Sequence, residues 1–182
     1  MTRDTKPEAF AKGFPPVHAE NASLLILGSL PGRKSIQAHQ YYAQPRNSFW
    51  RIMGALFGAG PELNYAARLK KLTDHSVALW DVLAEGQRPG SLDASIVKTT
   101  AMCNAFQGFF DLQPGICSIF FNGKMAAELY RRRVVPQLDT RCVAIPTVTL
   151  PSTSPAHAAV PYEHKLERWT EALDAGVGIA AG

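Results

Sequence analysis

Apolar residues in this chain come either in short unbroken runs or at helical spacing, and the two kinds of segment alternate. Residues 23–28, SLLILG, form an unbroken run closed by glycine, as expected of a strand buried on both faces of a parallel sheet. Between residues 48 and 57, Phe49, Trp50, Ile52, Met53, Leu56 and Phe57 share one helical face, with Gly58 and Gly60 as a stop. Residues 64–74 predict a second helix that exposes Arg68, Lys70 and Lys71, and residues 76–83 a second strand. Residues 93–110 read as helical in part, up to the break at Gln113-Pro114-Gly115. A third buried strand follows at 116–121, a helix at 124–135 ended by Pro136, and a fourth strand at 141–150 interrupted by Pro146. Residues 162–175 form the last helix, with Gly176 as its stop.

This alternation predicts an α/β fold: a three-layer α/β/α sandwich around a central, mainly parallel four-stranded sheet. Residues 1–20 read as a polar lead-in, without the apolar run of a secretory signal, and 21–182 as a single domain. The chain shows no repeat, low-complexity block or linker. In open α/β sheets ligands bind beyond the carboxyl ends of the strands. That directs attention to residues 28–47, 80–90, 122–124 and 150–157.

Composition narrows the classes. With 182 residues, 46% of them hydrophobic, the chain can bury one sizeable core. A net charge of +4 permits a polyanionic partner without requiring one. No segment is long and apolar enough for a membrane span. Cys103, Cys117 and Cys142 are an odd number with no C-x-x-C pair, which argues against a disulfide framework, a zinc site or a four-cysteine iron–sulfur cluster. The expectation is a cytoplasmic monomer with no cofactor and no metal.

Four segments at the strand ends could carry chemistry. Gly28-Ser29-Leu30-Pro31-Gly32 follows the first strand, and its glycines allow a tight turn and close approach to backbone N–H groups; it lacks the residues of a phosphate loop or a nucleophile elbow. In residues 40–50, QYYAQPRNSFW, Tyr41 and Tyr42 offer flat faces for stacking. Asn47 there is either a helix cap or an amide that orients a water or reads a base edge. Asn122-Gly123-Lys124 is either a turn or a base- and phosphate-contacting corner. Residues 150–157, LPSTSPAH, set three hydroxyls in a proline-stiffened loop, fit either for a rigid turn or for phosphate contact. Asp81, near a strand end, is an acid, a base, a cap or half of a pair. Arg131-Arg132-Arg133 reads as a solvated helix face.

Together GSLPG at 28–32, QYYAQPRNSFW at 40–50, FFNGK at 120–124 and LPSTSPAHA at 150–158 resemble the uracil-DNA glycosylase superfamily. The resemblance is closest to its sixth branch, the hypoxanthine-DNA (deoxyinosine) glycosylases. The mismatch-specific branch carries an Asn where this chain has Leu30, and uses it to position the attacking water. The sixth branch lacks that polar residue and relies on an Asn just ahead of the Phe-Trp pair, a position that Asn47 matches. The resemblance implies a monofunctional glycosylase of base excision repair acting on double-stranded DNA with a deaminated base. Asn47 would be catalytic. Gly28, Ser29, Leu30, Pro31, Tyr41, Tyr42 and Asn122 would bind the base, with Tyr42 stacking on it. Lys124, Ser152, Thr153, Ser154 and His157 would hold the DNA strand. Three rivals stay open: preference for uracil or a G·U mismatch, an inactive DNA-binding module, and an unrelated hydrolase using Ser29 and His157.

Overall fold

The computed structural model describes residues 10–89 and 92–177. Its centre is a four-stranded, wholly parallel sheet of β2 (Leu24–Gly28), β3 (Val77–Asp81), β6 (Ser118–Asn122) and β7 (Thr147–Leu150), in the order β3-β2-β6-β7. Every residue of β2, β3 and β6 is buried, which is why these segments read as unbroken apolar runs.

Alternate side chains along these strands enter two separate cores. Leu25, Leu27, Trp80, Ile119 and Phe121 pack on one side, against α4 (Phe106–Leu112) and α5 (Lys124–Leu129). Leu24, Ile26, Val77, Leu79 and Phe120 pack on the other, against α2 (Phe49–Phe57), α3 (Tyr65–Asp74) and α7 (Tyr162–Val177). This is the expected sandwich. The Asn64 side chain caps α3 by accepting from the Ala67 N–H at 2.9 Å. The last helix runs through Gly176, which was expected to stop it.

Four segments differ from the sequence reading. The loop after β2 contains a short helix, α1 (Arg33–Ala38), whose buried Ser35 hydroxyl accepts from the Ala43 N–H. The strand expected at 76–83 divides after Asp81: Val82 and Leu83 donate to the Gly28 and Ser29 carbonyls, and β4 (Leu83–Gly86) joins a second, antiparallel sheet. That sheet also holds β1 (Ala11–Lys12) and β5 (Met102–Cys103), so part of the expected polar lead-in pairs with the body. Residues 93–103 form two single 3-10 turns and a strand rather than a helix, in keeping with the β-branched residues Ile96, Val97, Thr99 and Thr100. In 141–150 only Thr147–Leu150 is strand; Asp139 accepts from the Cys142 N–H at 2.8 Å and starts α6 (Thr140–Val143) instead.

The expected helix at 124–135 also changes character, widening after Leu129 into a π turn at Tyr130–Val134. Within it the arginine run is not simply solvated. Arg133 donates to the carbonyls of Ala101 at 2.8 Å and of Lys98, fastening the neighbouring loop, while Arg132 pairs with Glu128.

Candidate active site

The chain passes from β2 to β3 on one side, then returns across β2 to β6 on the other. The strand ends at such a reversal leave a crevice. Here it is a cavity of about 360 Å³, bordered by residues from each of the segments 28–35, 41–47, 81–93 and 122–156.

Gly28 ends β2 at the cavity floor. A Cβ placed there would lie 2.4 Å from Asp81 Oδ1 and 2.9 Å from the Tyr42 hydroxyl, so the missing side chain lets both groups reach the same point. Next to it, Ser29 donates to Asp93 Oδ1 at 2.6 Å, and Arg88 bonds both that oxygen, at 2.8 Å, and the Leu30 carbonyl. The Leu30 side chain is buried in the core that contains α5, and with no polar atom it cannot hold a water. Arg88 and Asp93 thus clasp the 28–32 loop. Sequence reading missed both; the available signal was an acid and a base flanking a glycine-bearing strand-end loop.

Tyr41 and Tyr42 divide their tasks. Tyr41 is buried, its hydroxyl donates to the Pro15 carbonyl at 3.1 Å, and its own carbonyl accepts from the Trp50 indole at 3.0 Å. It therefore anchors the wall. Tyr42 adopts a left-handed backbone (φ 54°) that turns its half-buried ring onto Phe49, with centroids 3.8 Å apart and planes 20° from parallel. Phe49 covers one face of the ring, and Tyr42 borders the cavity. Burial pushes the pKa of both phenols upward, so both stay protonated and able to donate.

Asn47 also borders the cavity. Its Oδ1 accepts from the Phe49 N–H at 3.0 Å, so it tethers the start of α2, although Ser48 is the residue at the cap position. One Oδ1 lone pair and the Nδ2 hydrogens have no partner among the described residues. The expected helix-cap position thus falls one residue later, and Asn47 instead bonds the first N–H of α2 from just ahead of it.

At the opposite wall Asn122 and Thr153 are doubly bonded. Asn122 Nδ2 donates to the Thr153 hydroxyl at 2.9 Å, and its Oδ1 accepts from the Thr153 N–H at 2.9 Å. The Thr153 carbonyl accepts in turn from the Ser48 N–H and hydroxyl. Gly123 (φ 102°) permits this approach, since a Cβ there would lie 3.0 Å from the Ser152 side chain. Ser152 and Ser154 border the cavity, their oxygens accepting from N–H groups two residues ahead and their hydroxyl hydrogens remaining for a ligand.

Most of the expected residues come together here; Lys124 and His157 do not line the cavity and are exposed. With His157 outside and Ser29 bonded to Asp93, the arrangement does not supply the serine–histidine pair of a hydrolase. Unexpected basic residues, Arg33, Lys34 and Arg46, stand exposed at the rim. Asp81 lines the floor with its carboxyl raised to about 7, chiefly by burial and further by Asp93, while Arg88 opposes the rise. Among the described residues no helix is long and apolar enough to cross a membrane.

Known proteins resemble this chain throughout the region that forms the cavity. The family model of the uracil DNA glycosylase superfamily matches residues 15–174. A hypoxanthine DNA glycosylase of Methanosarcina acetivorans is 40% identical over 147 residues, 80% of this chain and 87% of its own length. Another of that name, from Methanosarcina barkeri, is 43% identical over 118 residues, 64% of this chain and 73% of its own. A solution NMR structure from Methanosarcina acetivorans, whose name puts it with the uracil DNA glycosylases, superposes with a TM-score of 0.72. It shares 37% identity and covers 87% of this chain and 94% of its own.

Proposed function

Because the chain belongs to the uracil-DNA glycosylase superfamily, we propose that it is a DNA glycosylase that releases hypoxanthine from deoxyinosine in double-stranded DNA. The observation that carries this reading is the Tyr42 ring, stacked on Phe49 and bordering a cavity of about 360 Å³ that Asn47 and Asn122 also line. The scissile bond is shielded in the stack, so the nucleotide must first be turned out of the duplex.

In the cavity the base stacks on Tyr42, and Asn122 meets its edge with the amide hydrogen and lone pair that Thr153 leaves over. Backbone N–H groups at Ser29 and Leu30 add contacts. Asn47 holds a water at C1′ through its remaining Oδ1 lone pair and Nδ2. The C1′–N9 bond breaks with its electron pair passing to the base, the water oxygen bonds C1′, and an abasic site remains. Two carboxylates flanking the sugar are not required, because position and hydrogen bonds to the leaving base carry the stabilisation. Ser152 and Ser154 hold backbone phosphates beside the turned-out nucleotide, with Lys124, His157 and the basic rim acting on the flanking strand. Thr153, fixed to Asn122 and Ser48, sets the shape of that loop. The enzyme acts as a monomer and without a cofactor.

Duplexes carrying one inosine, uracil, xanthine or thymine, treated with the protein and then alkali, test the reading. Strand scission at inosine is expected; faster scission at uracil would assign the site to the pyrimidine instead. Steeply salt-dependent binding without scission would make the protein a DNA-binding module. Borohydride should trap no covalent adduct; a trapped one would overturn the monofunctional mechanism and point to Lys34 at the rim.

A further inference from the structure

Asp81 is a cavity residue that this chemistry leaves unused. It closes β3 directly opposite Gly28 and is 4% exposed, and its Oδ2 is buried without a hydrogen-bond partner among the described residues. The Tyr42 hydroxyl approaches the other carboxyl oxygen, Oδ1, over Gly28. The nearby cation, Arg88, bonds Asp93 and the Leu30 carbonyl. A desolvated carboxyl oxygen without a hydrogen-bond partner among the described residues, at the floor of a ligand cavity, is what the polar edge of a bound base would satisfy.

We propose that Asp81 is a further catalytic residue. As a neutral carboxylic acid it donates a hydrogen bond to an acceptor atom, N7 or O6, of the turned-out purine as the base departs, beside the Tyr42 hydroxyl. This rests on the hypoxanthine-releasing reading above. As the C1′–N9 bond breaks, its electron pair spreads over the purine toward O6 and N7, where a donor in a water-poor site is most effective. The water that bonds C1′ gives up one proton to solvent, and the base takes up a proton at nitrogen. Asp81 keeps its own proton throughout. Were Asp81 ionised, it would set a second negative charge against the departing base.

The groups that bear on the carboxyl fix the direction of its pH dependence. Burial and the Asp93 carboxylate favour the protonated form, Arg88 favours the ionised form, and the Tyr41, Tyr42 and Tyr65 phenols stay neutral. The balance leaves the acid half-protonated at about pH 7. The active form is therefore lost as pH rises through neutrality.

The test is the single-turnover rate of hypoxanthine release from an inosine duplex between about pH 5.5 and about pH 9. The wild-type rate should fall on the alkaline side. Asp81→Leu should lose about 100-fold or more and show no alkaline fall. Asp81→Asn, a donor at every pH, should recover the rate to within about tenfold of wild type and flatten the profile. Infrared spectra at neutral pH should show a protonated carboxyl band in wild type that Asp81→Asn lacks. An unchanged rate in Asp81→Leu would overturn the proposal. So would a wild-type rate that rises with pH while Asp81→Asn is as slow as Asp81→Leu, the signature of a carboxylate acting as base. If wild type releases no hypoxanthine, the functional reading itself falls and takes this role with it.

Discussion

The Asn47 side chain tethers the start of α2 and also lines the cavity. The residue pattern left cap and catalyst as alternatives, and geometry makes the tether and a catalytic role compatible, because the Phe49 N–H occupies only one Oδ1 lone pair. The two roles separate by substitution. Asn47→Ala should lower stability by about 1 kcal/mol and slow base release by about 100-fold. Asn47→Asp keeps the acceptor for Phe49 but removes the amide hydrogens, so its thermal melt should stay near wild type while its rate falls. An Asn47→Asp variant with full activity would place the catalytic amide elsewhere.

Asp81 has a consequence for stability as well. Its folded-state pKa of about 7 exceeds the ordinary 3.8, so across that interval the folded protein holds a proton that the unfolded chain has released. Stability should therefore fall as pH rises from about 4 to about 7, by a few kcal/mol at most, since one pKa unit corresponds to about 1.4 kcal/mol. Denaturant titrations of wild type and Asp81→Asn across that range should differ in slope in this sense. The sequence marked Asp81 as a titratable group at a strand end. It could not show that Arg88 would bond Asp93, because the two lie on opposite sides of the loop after β4.

At the scale of elements, the site depends on a short relay across the sheet's edge. Asn122 at the end of β6 bonds Thr153 in the loop after β7, and the Thr153 carbonyl receives the first turn of α2 through Ser48. Thr153→Val preserves the shape but strands the buried Asn122 Nδ2. A loss of about 1–3 kcal/mol in chemical denaturation is expected, with weaker binding of inosine duplex. Ser48→Ala removes only its hydroxyl bond and should cost less, because its N–H still donates to Thr153.

The buried parallel strands were readable because both faces are covered and nearly every position is apolar. α2 was readable because its apolar face repeats at helical spacing. The small antiparallel sheet was not: β1 and β5 have two residues each, and their partners lie far away in sequence. Nor was α6, where the side-chain acceptor at Asp139 outweighs the strand-like residues after it. The motif positions themselves were all visible as turn-forming strand ends. Distances among them were not, so the sequence could not show that Ser152, Thr153 and Ser154 line the cavity while Lys124 and His157, expected with them on the DNA strand, stand outside it.

On the scale of the whole molecule, a net charge of +4 makes only a few phosphate contacts plausible for a chain of this size. Lys34 and Arg46, exposed at the cavity rim, are well placed to make two of them. Replacing either with Ala should reduce the slope of log affinity against log salt by about one, with little change in preference among bases. A selective loss at inosine would instead place that side chain in base recognition.

The four-stranded sheet also sets when activity can first appear as the chain folds. Gly28, Asp81 and Asn122 meet only because β2 pairs with β3 and β6, strands about 50 and 90 residues further along, and such distant pairings are slow to form. No contiguous fragment contains Gly28, Tyr42, Asp81 and Asn122 together unless it runs at least from residue 28 to residue 122. In a stopped-flow refolding experiment, inosine-duplex scission should therefore lag helix formation and return with the time course of Trp80 burial, the signal of the completed sheet.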